Sequence, residues 1–143
     1  MSTLTIESSR FGTLEIADEA VIEFPTGLVG LGGRRYTIVA PDPESPFRWL
    51  HSVDDPSLAL PITNPWSFFA DYAVEICDED QARVGAESVE VWVVVRAGSE
   101  LSDFSANLHA PILVADGHGH QVINTVAHPV RAALFPDVTA QAA

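Results

Sequence analysis

Two of the five histidines, His118 and His120, have the spacing most suggestive of a metal site. On a β-strand such an H-x-H pair places both imidazole rings on one face, a frequent arrangement of metal ligands. Gly117 and Gly119 interrupt the segment, however, and favour a hairpin turn with solvated rings. Residues 121–126 contain no carboxylate that could complete a ligand set. We predict no metal, and a small-molecule- or metal-binding β-barrel that uses the histidines is the alternative function.

The sequence lacks the patterns of nucleophilic catalysis and of phosphate binding. It has no G-x-S-x-G motif, and the glycines within residues 27–33 match neither the dinucleotide-binding fingerprint nor the P-loop. The single cysteine, Cys77, follows a predicted strand, so we expect a buried or half-buried thiol without a catalytic role. Neither an enzymatic activity nor a cofactor is predicted.

Two acidic runs could in principle supply acid–base catalysis, Asp54-Asp55 and residues 78–80. Adjacent carboxylates on a strand point to opposite faces, so Asp54 and Asp55 would not share a site there. A turn before Pro56 explains the first run, and the start of a helix explains the second. We therefore interpret both runs as structural.

Acidic residues outnumber basic ones by 20 to seven, which gives a formal net charge of −13. Affinity for nucleic acid comes chiefly from basic side chains that neutralise phosphates, so this composition argues against direct nucleic-acid binding. Anionic lipid surfaces would repel the protein for the same reason. A basic protein is the macromolecular partner that the charge favours.

Neither a signal peptide nor a membrane span is evident in the sequence. Residues 1–10 lack the basic and apolar regions of a signal peptide. The longest apolar run, Val91–Val95, has five residues, whereas a bilayer span needs about 20. A single cysteine cannot form an internal disulfide, which suits a reducing compartment. We expect a cytoplasmic protein.

Short apolar alternations, separated by turn residues, dominate the chain. A period of two is typical of strands with one buried face, and strands at this spacing predict an all-β fold, a small antiparallel β-barrel or sandwich. The run Val91–Val95 is apolar on both faces and should be a central strand. The predicted strands cover residues 4–6, 14–16, 22–24, 36–40, 49–53, 58–62, 72–76, 89–95, 112–115 and 122–126.

One short helix is predicted near residues 78–85. Asp78 can cap this helix and Gly85 can end it. A chain of 143 residues fits one domain, which we assign to residues 1–135. Residues 136–143 carry no pattern, so we expect a frayed tail.

The segment of residues 46–69 holds five aromatic side chains, more than strand alternation requires. Core packing is one interpretation. A contact surface with acidic flanks is the other, because interfaces are enriched in aromatic residues and arginine.

Three ordered blocks of residues give the most specific signal. The first is Phe11-Gly12 with residues 22–30, which contain F-P-T-G-L-V-G. The second covers residues 45–60 and reads S-P-F-R-W-L-H-S followed by P-S-L-A-L, and the third, residues 106–114, reads A-N-L-H-A-P-I-L-V. Over residues 4–135 these blocks resemble, in order and spacing, those of the FliW family of bacterial flagellar assembly factors. His51 stands where that family usually has glutamine.

The resemblance implies a small β-barrel without catalysis, monomeric when free. FliW-like proteins bind the basic translational repressor CsrA and stop it silencing flagellin mRNA, and they also bind flagellin. Flagellin thus captures the factor and releases CsrA, which is partner switching with feedback. The residues of the blocks that we expect to contact partners are Phe47, Trp49, Ser52, Asp54, Asp55, Asn107, Ala110 and Pro111.

Overall fold

The computed structural model describes residues 3–25, 27–28, 34–84, 89–96, 99–100, 103–115, 117–128 and 131–134. Within these ranges it contains eleven β-strands, one α-helix and two 3-10 turns. The strands are β1 (Thr3–Ser8), β2 (Gly12–Ala17), β3 (Ile22–Glu23), β4 (Arg35–Val39), β5 (Phe47–Ser52), β6 (Ala59–Thr63), β7 (Glu90–Arg96), β8 (Ser105–Ala106), β9 (Ile112–Ala115), β10 (His118–Gln121) and β11 (Ala132–Ala133). The 3-10 turns are Asp18–Ala20 and Pro65–Ser67, and the helix α1 is Asp78–Val84. The predicted tail lies outside the described residues.

Seven strands close a barrel in the order β7-β6-β5-β4-β3-β10-β9, because β9 pairs back onto β7. The neighbouring pairs are antiparallel except one. That exception is a parallel pairing of Glu23 in β3 with His118 in β10. The predicted small β-barrel is thereby confirmed, with one parallel seam.

The apolar run of β7 is the central strand that its composition predicts. It pairs with β6, β8 and β9. Trp92 and Val94 pack against a cluster inside the barrel, whereas Val93 and Val95 belong to a second cluster. Both faces of β7 are therefore covered, as the sequence requires.

Two apolar clusters hold most of the buried hydrophobic side chains of the described residues. The first fills the barrel, and its buried members are Ile22, Phe24, Leu28, Tyr36, Leu50, Ile62 and Ile112. The second lies against the other face of β7 and includes Tyr72, Leu108 and Leu134. The hairpin formed by β1 and β2 is a separate two-stranded sheet. The chain thus builds a barrel with an outer layer.

Two predicted strands are wrong. Residues 72–76 alternate between buried and exposed, yet they form no ladder. Instead the Asn124 side chain accepts from the backbone N–H of Glu75 at 3.0 Å and donates to the carbonyl of Ala73 at 2.8 Å. Alternation shows which side chains face the core. It does not show which groups form hydrogen bonds with the backbone N–H and C=O groups.

The second wrong strand is 122–126, because the paired strand lies earlier, at β10. The turn after β9 is so short that His118 already pairs with Ala115. Gly117 supplies the positive φ of this turn, at 78°. Gly119, which the sequence pattern assigns to the turn, lies within β10, and a Cβ added there would lie 2.4 Å from Cζ of Phe24. Its role is to leave room for the Phe24 ring.

The predicted short helix is confirmed as α1, with a different start. The backbone N–H of Gln81 donates to the carbonyl of Cys77 at 3.0 Å, so Asp78 is the first helical residue and not the cap. Gly85, the predicted end of the helix, lies outside the described residues.

Candidate partner-binding surfaces

The aromatic residues of β5 support the outer layer. Trp49 packs edge-to-face on Phe11, with ring centroids 5.6 Å apart, and the Arg10 guanidinium lies 4.4 Å from the centre of the Trp49 ring. The Phe47 ring lies 5.6 Å from that of Phe68. Both predicted contact residues, Phe47 and Trp49, are half-buried. They join layers of the fold and leave only part of each ring available to a partner.

His51, next to them, is buried and joins the hairpin to the barrel. Its Nδ1 lies 2.7 Å from the carbonyl oxygen of Ser52, and its Nε2 lies 2.7 Å from Oγ of Ser8. Because a carbonyl oxygen only accepts, Nδ1–H donates to Ser52, and the Ser8 hydroxyl, whose oxygen accepts from the backbone N–H groups of Arg10 and Phe11, donates to Nε2. A serine–histidine pair can serve catalysis. Here His51 is 0% and Ser8 6% exposed, so the pair is structural.

The turn after β5 holds three of the predicted contact residues. Ser52 is fully buried, and its hydroxyl accepts from the backbone N–H groups of Asp54 and Asp55 at 3.2 and 2.9 Å. Asp54 is exposed and forms an ion pair with Arg35. Asp55 is exposed, and the hydrogen bonds it accepts from the Ser57 hydroxyl and backbone lower the pKa of its carboxyl. The two carboxylates can reach a partner, whereas Ser52 shapes the turn.

The third block of the sequence also forms a turn. The Asn107 side chain accepts from the backbone N–H groups of His109 and Ala110, at 3.0 and 3.2 Å. Ala110 and Pro111 are buried. Of the three predicted contact residues here, only Asn107 is half-exposed. The structure thus separates surface residues of these blocks from turn-forming ones.

A groove of about 820 Å³ lies between the 3-10 turn Pro65–Ser67, residues 74–76, α1 and β7. We call it the acidic groove. Its apolar lining comes from Trp66, Val74, Ile76, Val91 and Leu113, and its polar lining includes Glu75 and Gln81.

Trp66 is the most prominent side chain of the acidic groove. It is 43% exposed, although its Nε1 donates to the carbonyl of Tyr72 at 2.8 Å. Glu75 is exposed, and α1, which contributes Gln81, also bears the exposed Asp78 and Glu79. Trp66 belongs to the aromatic segment of residues 46–69, but it is not among the predicted contact residues. The signal was a tryptophan outside any alternating strand.

The histidines do not converge on a site. In the described part of the chain no three side chains of His, Cys, Asp or Glu are placed to hold a metal ion. His118 and His120 lie on a strand and not in a turn, and His120 is buried, so the expectation of solvated rings is wrong for it.

Cys77 is exposed, contrary to expectation, because the preceding segment is not a strand. No helix among the described ranges has the length and apolarity to span a bilayer.

Known proteins resemble this chain over nearly its whole length. The FliW protein family matches residues 5–134. The flagellar assembly factor FliW of Desulfitobacterium hafniense is 33% identical over 145 residues, with 96% of this chain and 95% of that protein covered. The flagellar assembly factor FliW of Alkaliphilus metalliredigens is 34% identical over 116 residues, which cover 78% of this chain and 72% of that protein.

The fold agrees as well. A crystal structure of the flagellar assembly factor FliW superposes with a TM-score of 0.83 at 27% identity, covering 92% of this chain and 97% of that one. Family match, identity and superposition extend over the barrel and its outer layer alike. The chain therefore belongs to the FliW family.

Proposed function

We propose that this protein is a cytoplasmic flagellar assembly factor that works by binding other proteins and not by catalysis. Its first partner is CsrA, which it keeps from repressing flagellin mRNA. Its second partner is flagellin, which captures the factor and frees CsrA. The names of its relatives support the flagellar role, and the acidic groove is the observation that supports the basic partner.

The acidic groove has the composition of a protein interface for a basic partner. Interfaces combine an apolar centre with a polar rim, and aromatic anchors contribute most of the binding energy. Trp66, Val74 and Ile76 supply apolar area, and Glu75 supplies negative charge. An RNA-binding regulator has a basic surface, which this rim would attract.

The exposed carboxylates of the β5 turn are proposed as additional contacts. Asp54 and Asp55 are accessible, but Arg35 neutralises much of the charge of Asp54. Phe47, Trp49 and Asn107 would contribute their exposed parts. Ser52, Ala110 and Pro111 are buried, so we propose that they act by fixing the turns that present the other residues.

Calorimetric titration against CsrA and flagellin from the same organism tests the function. We expect Trp66→Ala with Glu75→Arg to weaken CsrA binding at least about tenfold, because truncating an interface anchor costs roughly 2 kcal/mol or more. Glu15→Arg, at an exposed position on the hairpin strand β2, is the matched charge control and should bind CsrA within about twofold of the unmodified protein.

Two outcomes would count against the proposal in different ways. If the unmodified protein bound neither CsrA nor flagellin, the function itself would be wrong. If it bound both and the groove variant bound CsrA equally well, the function would stand but the acidic groove would not be the CsrA site.

A further inference from the structure

A second groove lies at one end of the barrel and continues into its core. It has a volume of about 470 Å³, and its lining includes Leu28, Leu60 and Val94. Leu28 belongs to the cluster inside the barrel, and Leu60 and Val94 pack against that cluster. The groove therefore connects the barrel interior with the surface, and the mouths of β-barrels are frequent binding sites.

The rim of this groove is basic, in contrast to the molecule as a whole. Arg96 and Arg131 line it, both exposed, and none of the described residues in its lining is an aspartate or a glutamate. Two of only seven arginines in a chain of net charge −13 thus meet at one apolar opening. We call it the arginine groove.

Other arginines of the described chain interact with neighbouring groups of the protein, and these two differ from them. Arg35 pairs with Asp54, Arg10 stacks on Trp49, and Arg48 donates to backbone carbonyls. Among the described residues neither Arg96 nor Arg131 forms an ion pair. Their guanidinium groups are available to a ligand, and guanidinium binds carboxylates through two parallel hydrogen bonds.

An exposed apolar side chain stands beside them. Ile123 lines the groove and is 53% exposed. Burying such a side chain removes apolar surface from water and favours association. An occupant that matches the arginine groove must therefore be apolar along the groove lining and negatively charged at the rim.

We propose that the arginine groove binds a peptide segment of a partner protein in which apolar side chains lie next to carboxylates. The apolar side chains cover Leu60, Val94 and Ile123, and the carboxylates pair with Arg96 and Arg131. A basic partner of the acidic groove is disfavoured here by the same two arginines. The protein thus has two grooves with opposite charge preference, and this inference does not depend on which proteins fill them.

Two synthetic twelve-residue peptides, blocked at both ends, test the proposal. They share the same leucine and phenylalanine positions, and one carries glutamate where the other carries lysine. We expect the glutamate peptide to bind and to shift the amide resonances of Val94 and Ile123 in NMR spectra. The lysine peptide should bind at least about tenfold more weakly, since its ammonium groups would be repelled by the two guanidinium groups with which the carboxylates pair.

Substitutions then assign the binding to the groove. Arg96→Glu with Arg131→Glu should weaken binding of the glutamate peptide by the same factor, and Ile123→Ser should weaken it as well. Arg34→Glu, at an exposed arginine outside the groove, is the matched control and should leave it unchanged. Circular dichroism of each variant checks that it is folded.

The proposal is overturned if the two peptides bind equally, if millimolar glutamate peptide shifts no resonance of the groove, or if the double arginine variant binds as tightly as the unmodified protein. A CsrA titration of that double variant serves as a separate readout. If the unmodified protein does not bind CsrA, the proposed function is contradicted. The peptide experiment still decides whether the arginine groove binds its proposed ligand.

Discussion

At the scale of single residues, buried and half-buried polar side chains hold several turns and loops of the chain in place. Ser52, Asn107 and Asn124 each bind backbone groups of a turn or loop that has no ladder of its own. Buried donors and acceptors must be paired, so these positions are constrained without any contact to a partner. His51 is the clearest case, because it reaches two separate elements.

We expect His51→Ala to lower the free energy of unfolding by about 1–3 kcal/mol, since it removes the acceptor of the buried Ser8 O–H group and the donor to the Ser52 carbonyl. His51→Gln should cost less, because an amide can accept from Ser8 and donate to Ser52. Urea denaturation measures both. Equal losses for the two variants would contradict the assigned hydrogen bonds, and the Ser8→Ala, His51→Ala pair should be non-additive.

Asp55 gives a prediction on pH. Its pKa is lowered chiefly by the hydrogen bond from the Ser57 hydroxyl, and then by the Ser57 backbone. A carboxyl with a lowered pKa in the folded state stabilises the turn above its unfolded pKa, and this contribution is lost as the pH falls through the folded value. We expect Ser57→Ala to move the pKa of Asp55 upward in an NMR titration of the carboxyl carbon. An unchanged pKa would show that the hydroxyl is not the main cause.

At the scale of elements, the sequence predicted strands where apolar alternation coincided with a ladder, as in β1, and where short runs rich in valine, isoleucine or aromatic residues did, as in β4 and β9. It failed where alternation came without a ladder, as at 72–76, because Asn124, far away in the chain, provides the hydrogen bonds there. It also missed β10, since glycines and histidines suggested a turn. Only the packing of Phe24 explains why a glycine belongs in that strand.

Gly119→Ala tests this packing. The added methyl group would overlap the Phe24 ring, and overpacking of a core costs about 1–3 kcal/mol. Phe24→Leu in the same chain should recover part of this loss, because it removes the ring atoms that collide. Denaturation curves of the two single variants and the double variant measure the coupling. Simple additivity would show that Phe24 is not what excludes a side chain at position 119.

At the scale of the whole molecule, charge is distributed unevenly. The net charge of −13 is evident from composition, but neither groove could be located from the sequence. The acidic groove joins Trp66, Glu75 and Leu113, and the arginine groove joins Leu60, Arg96 and Arg131. The residues that line each groove come together only after the strands have paired. Alternation and motif spacing along the sequence therefore cannot predict them.

The overall charge predicts how fast a basic partner is bound. Long-range attraction raises association rates, and it is screened over about 8 Å at physiological ionic strength. We expect the association rate constant with CsrA to fall steeply between low and high salt, with a smaller change in the dissociation rate. Stopped-flow measurements over a salt series test this. A rate constant independent of salt would show that steering plays no part.

The parallel seam between β3 and β10 determines how early in its synthesis the chain can close the barrel. Glu23 and His118 come from opposite ends of the barrel sequence, so the ring of strands closes late, after almost every residue of the barrel has been synthesised. Contacts between such distant segments slow folding. Both grooves also take a lining residue from beyond the seam, Thr125 in one and Arg131 in the other, so neither lining is complete until these late residues have been synthesised.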